Sequence, residues 1–122
     1  MRSTGLSLYP GAPCRVIDTR QLGPPFIGTL SPPVDVVDSP CGPPATAQAY
    51  VFNATVVPSG AMGYLTLWPA DIGRPLQFST LNAIDGWITS NMAIVSTTNG
   101  KVDAYASGLT QLILDISSYF AP

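Results

Sequence analysis

Residues 48–57 read QAYVFNATVV, and this stretch decides the fold class. Every second residue from Tyr50 to Val56 is apolar, which is the two-residue period of a β-strand. The opposite face also carries apolar side chains, so we expect a central strand. A Pro-Ser-Gly turn at residues 58–60 leads into a second extended stretch over residues 63–68. The two stretches together predict a β-hairpin.

The Asn99-Gly100 pair predicts a second hairpin further along the chain. Asn-Gly fits the type I′ turn that joins two antiparallel strands, here residues 92–97 and 101–106. Further strands are predicted over residues 15–19, 34–37, 76–82 and 110–116. The chain is therefore predicted to be all-β, with about seven to nine short antiparallel strands.

The composition supports the same fold class. The sequence has no glutamate, and Lys101 is its only lysine, so the residues that usually cover exposed helix faces are nearly absent. Its 13 prolines and 11 glycines predict many turns and loops. We expect a single β-sandwich or barrel-like domain with Pro/Gly-rich loops over residues 13–122. Residues 1–12 are predicted to form an N-terminal arm, in which Leu6, Leu8 and Tyr9 could add a strand to another molecule.

The low charge of the chain bears on its partners. Only 10% of the residues are charged, against about 25% in a typical soluble domain. A monomer with so few charges has little electrostatic protection against self-association, so a homo-oligomer or a filament is expected. The five basic residues are too few and too scattered for a nucleic-acid partner. No stretch has the roughly 20 apolar residues that a membrane span requires.

Cys14 and Cys41 are the only cysteines, and a disulfide between them is predicted. Such a bond forms in an oxidising compartment, which favours an extracellular protein. Two buried free thiols are the alternative. Residues 1–13 lack an apolar stretch long enough for a secretory signal peptide.

The chain resembles a poorly characterised all-β module of secreted and surface-attached bacterial proteins. The resemblance rests on an ordered set of motifs, which are PCRVIDTR at 13–20, NATVVP at 53–58, GYLTLWP at 63–69, STLN at 79–82, and Asp115 before Tyr119-Phe120. It implies a location outside the cell or on its surface and a role in adhesion, display or assembly. It brings no catalytic residues with it.

The sequence does not favour an enzyme. It contains no histidine, which removes the Ser-His-Asp and Cys-His arrangements. Asp18-Thr19 matches part of an aspartic protease loop, but Arg20 stands where that loop needs glycine. No cofactor is expected, and no metal site, because two cysteines without histidine cannot make a four-ligand zinc site and no calcium loop is present.

Two sets of side chains are candidates for a structural or binding role. A polar network that fixes loops is predicted from Arg15, Asp18, Arg20, Asn53, Asn82 and Asn91. A pocket for a polar ligand is the alternative role for the three asparagines. Core packing, or instead a flat surface that stacks on sugar rings, is predicted from Tyr64, Trp68, Trp87 and Tyr105.

These observations lead to one main hypothesis and one alternative. The main hypothesis is a non-catalytic extracellular module that associates with copies of itself, for example into a filament or another surface assembly. The alternative is a carbohydrate-binding module whose partner is a polysaccharide.

Overall fold

The computed structural model describes residues 5–75 and 79–122, and nearly all of its regular structure is β-strand. Its elements are β1 Ser7–Asp18, a 3-10 turn at Thr19–Gln21, β2 Phe26–Thr29, β3 Val34–Asp35, β4 Ala49–Pro58, β5 Gly63–Pro69, β6 Leu81–Ala83, β7 Thr89–Ser96 and β8 Lys101–Ala121. The eight strands form one antiparallel, barrel-like sheet that is nearly closed. The all-β prediction is confirmed. Of the strand predicted over residues 76–82, residues 76–78 lie outside the described part of the chain.

Strand β8 is the spine of this sheet. It is 21 residues long, and it pairs with β1, β2 and β3 along one edge and with β4 and β5 along the other. Leu114, for example, lies between Ile17 of β1 and Ala54 of β4. On their sides away from β8, β4 pairs with β7 and β5 pairs with β6. The strand segments therefore lie side by side in one antiparallel sheet, with β8 in the middle. We call each line of strand segments in this sheet a row.

The sheet folds over along the length of β8, so that side chains from both halves of β8 pack into one core. Val102, Ala104 and Ala106 from its first half lie in the same buried cluster as Leu112 and Leu114 from its second half. Gly108 lies between the two halves, with the backbone of Met62 packed directly against it. Tyr50, Phe52, Ala54 and Val56 of β4 are fully buried in this cluster, as the alternation predicted.

Both predicted hairpins are wrong. Strands β4 and β5 pair with β8 and not with each other, and β7 pairs with β4 while the first half of β8 pairs with β5. A type I′ turn needs positive φ at both central residues, but no residue other than glycine has positive φ in the described chain. Asn99 instead accepts a hydrogen bond from the Lys101 amide at 3.0 Å. The Asn99-Gly100 turn thus connects β7 to β8, two strands that do not pair with each other.

The predicted boundary after residue 12 falls inside a strand. Ser7 to Pro10 pair with Ala121 to Ser118 of β8, so Leu8 and Tyr9 belong to the same sheet as the rest of β1. The register is irregular between Pro10 and Cys14, within that strand. Leu6 lies just before β1 and is exposed.

Candidate interaction surface

The solvent-facing side of one layer brings together the side chains that are candidates for function. The layer consists of β1, the second half of β8, β4 and β7, and we call this side the outer face. The ladder registers place Arg15, Asp115, Asn53 and Met92 in one row across it. Charged side chains lie on β1 and β8, whereas β4 and β7 contain none. The outer face therefore has an ionic half and an uncharged half.

The ionic half consists of Arg15, Asp18, Arg20 and Asp115. Arg15 Nε lies 2.9 Å from Asp115 Oδ1, and its Nη1 lies 3.6 Å from Asp18 Oδ2. Arg20 Nη2 lies 2.8 Å from Asp18 Oδ2. Asp18 also caps the 3-10 turn, since its Oδ1 accepts a hydrogen bond from the Arg20 amide at 3.1 Å. Two guanidinium groups thus hold one carboxylate at the end of β1 and fix the start of the following loop.

This arrangement changes the ionisation of its members. The hydrogen bond from the Arg20 side chain lowers the pKa of Asp18, against an opposing effect of desolvation. The hydrogen bond to Asp115 raises the pKa of Arg15. Because the pKa of Asp18 is lower in the folded protein than in the unfolded chain, the charge stabilises the fold at neutral pH. That contribution is lost as the pH falls below the ordinary carboxyl range and through the depressed value.

We expect Asp18→Asn to lower the free energy of unfolding by about 1 kcal/mol at neutral pH, since the arginines are half exposed and screened by solvent. Asparagine keeps the shape and can still cap the turn, so the loss reports the charge. Below the depressed pKa of the folded state, where the carboxyl is protonated in both states, the variant and the wild type should be equally stable. Urea unfolding over a series of falling pH values measures this, and Asp38→Asn, in an exposed turn, is the control. A loss that does not shrink as the pH falls would contradict the ionic role.

The predicted polar network does not form as a single unit. Arg15, Asp18 and Arg20 come together, joined by Asp115, which the prediction did not include. Asn91 instead donates from Nδ2 to the carbonyl oxygen of Thr80 at 2.9 Å, and so links β7 to the residue before β6. The three asparagines are therefore placed separately and do not line a common pocket.

The other two asparagines lie on different strands. Asn53 is exposed on β4, and its amide Nδ2 lies 3.4 Å from Thr55 Oγ1. Thr55 in turn lies 2.7 Å from the hydroxyl of Ser90 on β7. Asn82 is exposed on β6 opposite Tyr64. The Asn53 contact thus stays within β4, and the Thr55–Ser90 contact links β4 to β7.

The uncharged half was not identified from the sequence. On β7, Met92 and Ile94 are 65% and 59% exposed, and Ile88 just before the strand is 67% exposed. They occupy alternate positions with Ser90, so all four side chains lie on the outer face. The sequence does contain a signal for this surface. Residues 86–100 carry no charge, and apolar residues occur there at both odd and even positions, so some of them must point to solvent. Exposed apolar side chains on consecutive outward positions of one strand are typical of an interaction surface.

The four aromatic residues do not form one flat surface. Trp68 is only 4% exposed, and its Nε1 donates to the carbonyl oxygen of Ile72 at 3.2 Å. Tyr64 and Tyr105 pack against each other at 33°, and the Arg74 guanidinium lies 3.8 Å from the centre of the Tyr105 ring. Trp87 is 73% exposed in the connection between β6 and β7. Only Trp87 among the four is thus open for contact with a partner.

A cleft opens on the opposite side of β8 from β4, where β1 leaves the ladder. Its volume is about 320 Å³, and its lining is uncharged and includes Tyr9, Ile116, Ser117, Tyr119 and the disulfide. Cys14 and Cys41 form that disulfide, with their Cα atoms 5.8 Å apart, as predicted. The bond ties β1 to the loop before β4.

Residues 5–75 and 79–122 contain no cluster of three or more acidic, histidine or cysteine side chains that could hold a metal ion. Within the same residues, no helix has the length and hydropathy needed to cross a membrane. The chain matches no family model, no curated protein and no solved structure.

Proposed function

We propose that this chain is a non-catalytic extracellular structural module that associates with copies of itself through the uncharged half of its outer face. The observation that supports this most directly is the stripe of exposed Ile88, Met92 and Ile94 on a layer edge without charged residues. Leaving these side chains in water is unfavourable, at about 25 cal/mol for each Å² of apolar surface. Contact with a partner removes that penalty.

A second copy is the partner that fits this surface. Two identical faces related by a two-fold axis place the same residues opposite each other, so any charge on the face would meet a like charge. The β4–β7 face avoids this, because neither strand has a charged residue. With Met92 on the axis, Ser90 of one copy would lie near Ile94 of the other. Two copies of this face can therefore pack against each other without bringing like charges together.

The size of the surface sets the expected affinity. A standard interface buries about 800 Å² on each partner, and two short strands provide less than that. Ile84 and Trp87, which are exposed in the turn leading to β7, extend the apolar area. We expect weak association, with a dissociation constant on the order of micromolar. The filament form of the hypothesis requires a second contact, because a two-fold interface alone closes into a dimer.

The disulfide supports the extracellular part of the proposal. Disulfides persist in oxidising compartments and are rare where thiols are kept reduced. The Cys14–Cys41 bond is formed between two partly exposed cysteines and closes a loop of 27 residues. The resemblance to secreted and surface-attached bacterial modules implies the same location. Carbohydrate binding is the weaker alternative, since Trp87 is the one exposed ring of the predicted sugar-binding set.

The proposal predicts that Ile94→Lys weakens self-association by about tenfold or more, because the interface would then bury two like charges. The matched control is Ile27→Lys. Ile27 lies on β2 and is 62% exposed, against 59% for Ile94, so the same substitution is made at equal exposure elsewhere. Sedimentation equilibrium across a concentration series measures both. A wild type that stays monomeric at the highest concentration, or an equal effect of the two variants, overturns the proposal.

A further inference from the structure

The first part of β1 is attached to the domain differently from the rest of the strand. Ser7 to Pro10 pair with Ala121 to Ser118, and pairing then resumes at Cys14 opposite Ile116. Three residues, 11–13, therefore stand opposite the single residue Ser117. Ser117 also falls at the register shift between β8 and β4. We call residues 7–10 the terminal segment and residues 11–13 the hinge.

The terminal segment contributes little to the core. Residues 5–13 are all exposed, and the first fully buried residue of β1 is Val16. Its side-chain contacts are a stack of the Tyr9 and Tyr119 rings at 5.2 Å and a hydrogen bond from the Tyr9 hydroxyl to the Pro122 carbonyl oxygen at 3.0 Å. Leu8 remains 51% exposed despite its place in the ladder. The segment is thus held mainly by backbone pairing with the end of β8.

The hinge favours an extended chain. Pro10 and Pro13 stand at its two ends, and each proline fixes its own φ and disfavours the helical conformation of the residue before it. The three hinge residues nevertheless stand opposite the single residue Ser117, so the hinge bulges out of the ladder. The uncharged cleft of about 320 Å³ lies beneath this bulge and is bounded by the hinge on one side. Straightening the hinge would release the bulge without disturbing Cys14, which the disulfide anchors.

We infer that the terminal segment is exchanged between copies, so that Ser7 to Pro10 of one molecule pair with Ala121 to Ser118 of another. This inference rests on the proposed self-association and adds a second contact to it, between β1 and the end of β8. The exchanged pairs are the same as those within one chain, so the recognition is already built into the molecule. The extended hinge spans about 13 Å from residue 10 to residue 14, which suffices to reach a neighbour in contact.

Exchange also improves the burial of apolar side chains. Leu6, Leu8 and Tyr9 are about half exposed when the segment lies on its own domain. Between two molecules, the same strand pairs with one copy and lies beside the other. Main-chain hydrogen bonds then supply affinity and the alternate side chains supply specificity, as in other additions of a strand to a sheet. Exchange of this kind joins identical molecules at low conformational cost, because the hinge is the only part that must change.

Cross-linking between two different variants, each with one cysteine added to the native Cys14–Cys41 pair, tests the inference. Leu8 and Phe120 are register partners, so cysteines at these positions meet only where the terminal segment pairs with β8. Leu8→Cys and Phe120→Cys are placed on separate chains with different tags, co-expressed, and oxidised as the assembled full-length protein. Disulfide-linked species that contain both tags are expected at several times the level of the collision control. That control pairs Leu8→Cys with Leu22→Cys. Leu22 is 72% exposed and so more accessible than the partly buried Phe120, but it is not a register partner, so the control gives an upper limit for random collision.

Two further samples separate the possible outcomes. The double variant Leu8→Cys/Phe120→Cys reports pairing within one chain, and it also shows that the cysteines do not prevent folding. If the double variant cross-links as a monomer and the mixed single variants do not exceed the collision control, the inference is overturned. The mixed experiment is repeated in the Ile94→Lys background. Cross-links between chains are expected to fall there together with the association. Association that is lost in Ile94→Lys, with no cross-links between chains in the wild-type background, would retain the proposed function and reject the exchange.

Discussion

Replacing Cys14 and Cys41 together by serine is expected to lower the free energy of unfolding by about 3–4 kcal/mol. The disulfide closes a loop of 27 residues, and removing it returns conformational freedom to the unfolded chain. In the folded protein it also links β1 to the loop before β4. A domain of this size has a total stability of only about 5–15 kcal/mol, so the loss is large.

Equilibrium unfolding in urea measures this effect. The wild type in the presence of a strong reductant should unfold at the same midpoint as the double serine variant, since both lack the bond. A single exposed serine substitution, Ala12→Ser in the adjacent hinge, controls for the added hydroxyl group. A double variant as stable as the wild type would mean that the folded domain gains nothing from the bond.

Replacing Gly108 by alanine is expected to destabilise the fold by about 2–3 kcal/mol, the second largest effect that we expect. A Cβ atom at this position would lie 2.8 Å from the Met62 carbonyl oxygen, and closer still to the Met62 Cα. These are backbone atoms of the neighbouring row, so no side-chain rotation relieves the contact. Either the row or β8 must move at the point where the sheet folds over.

Gly60→Ala is the matched control, because nothing lies within 4 Å of a Cβ added at that residue. The two glycines are close in the structure, and neither has positive φ, so the comparison isolates the steric contact. Thermal unfolding of both variants gives the result. Equal midpoints for Gly108→Ala and Gly60→Ala would show that the two rows are not pressed together at Met62.

The sequence was most informative about which side chains are buried. The alternation in residues 48–57 correctly identified the buried face of β4, because side-chain direction depends only on local geometry. Pairing partners were not predictable in the same way. The two hairpin predictions assumed that neighbours in sequence are neighbours in the sheet, and β8 instead pairs with segments as far away as Ser7, which lies opposite Ala121.

The candidate site was partly predictable for the same reason. Arg15, Asp18 and Arg20 have short spacing, so their proximity follows from the local chain. Asp115 joins them only because the β1–β8 register places it opposite Arg15. The uncharged half of the outer face could have been suspected from the uncharged residues 86–100, but its position beside β4 required the fold. Contacts between charged residues that are close in sequence could thus be predicted. Which distant residues share a surface could not, because the register of the sheet decides it.

The position of β8 after all the strands that it joins has a consequence for how the protein is made. Within the described residues, β1, β2 and β3 pair with no strand other than β8, which follows them in the chain. At ribosomal rates of about 5–20 residues per second, the residues before β8 wait several seconds without the partner that completes their sheet. Unpaired strand edges are exposed during that interval, so the nascent chain has most need of protection from aggregation before β8 emerges.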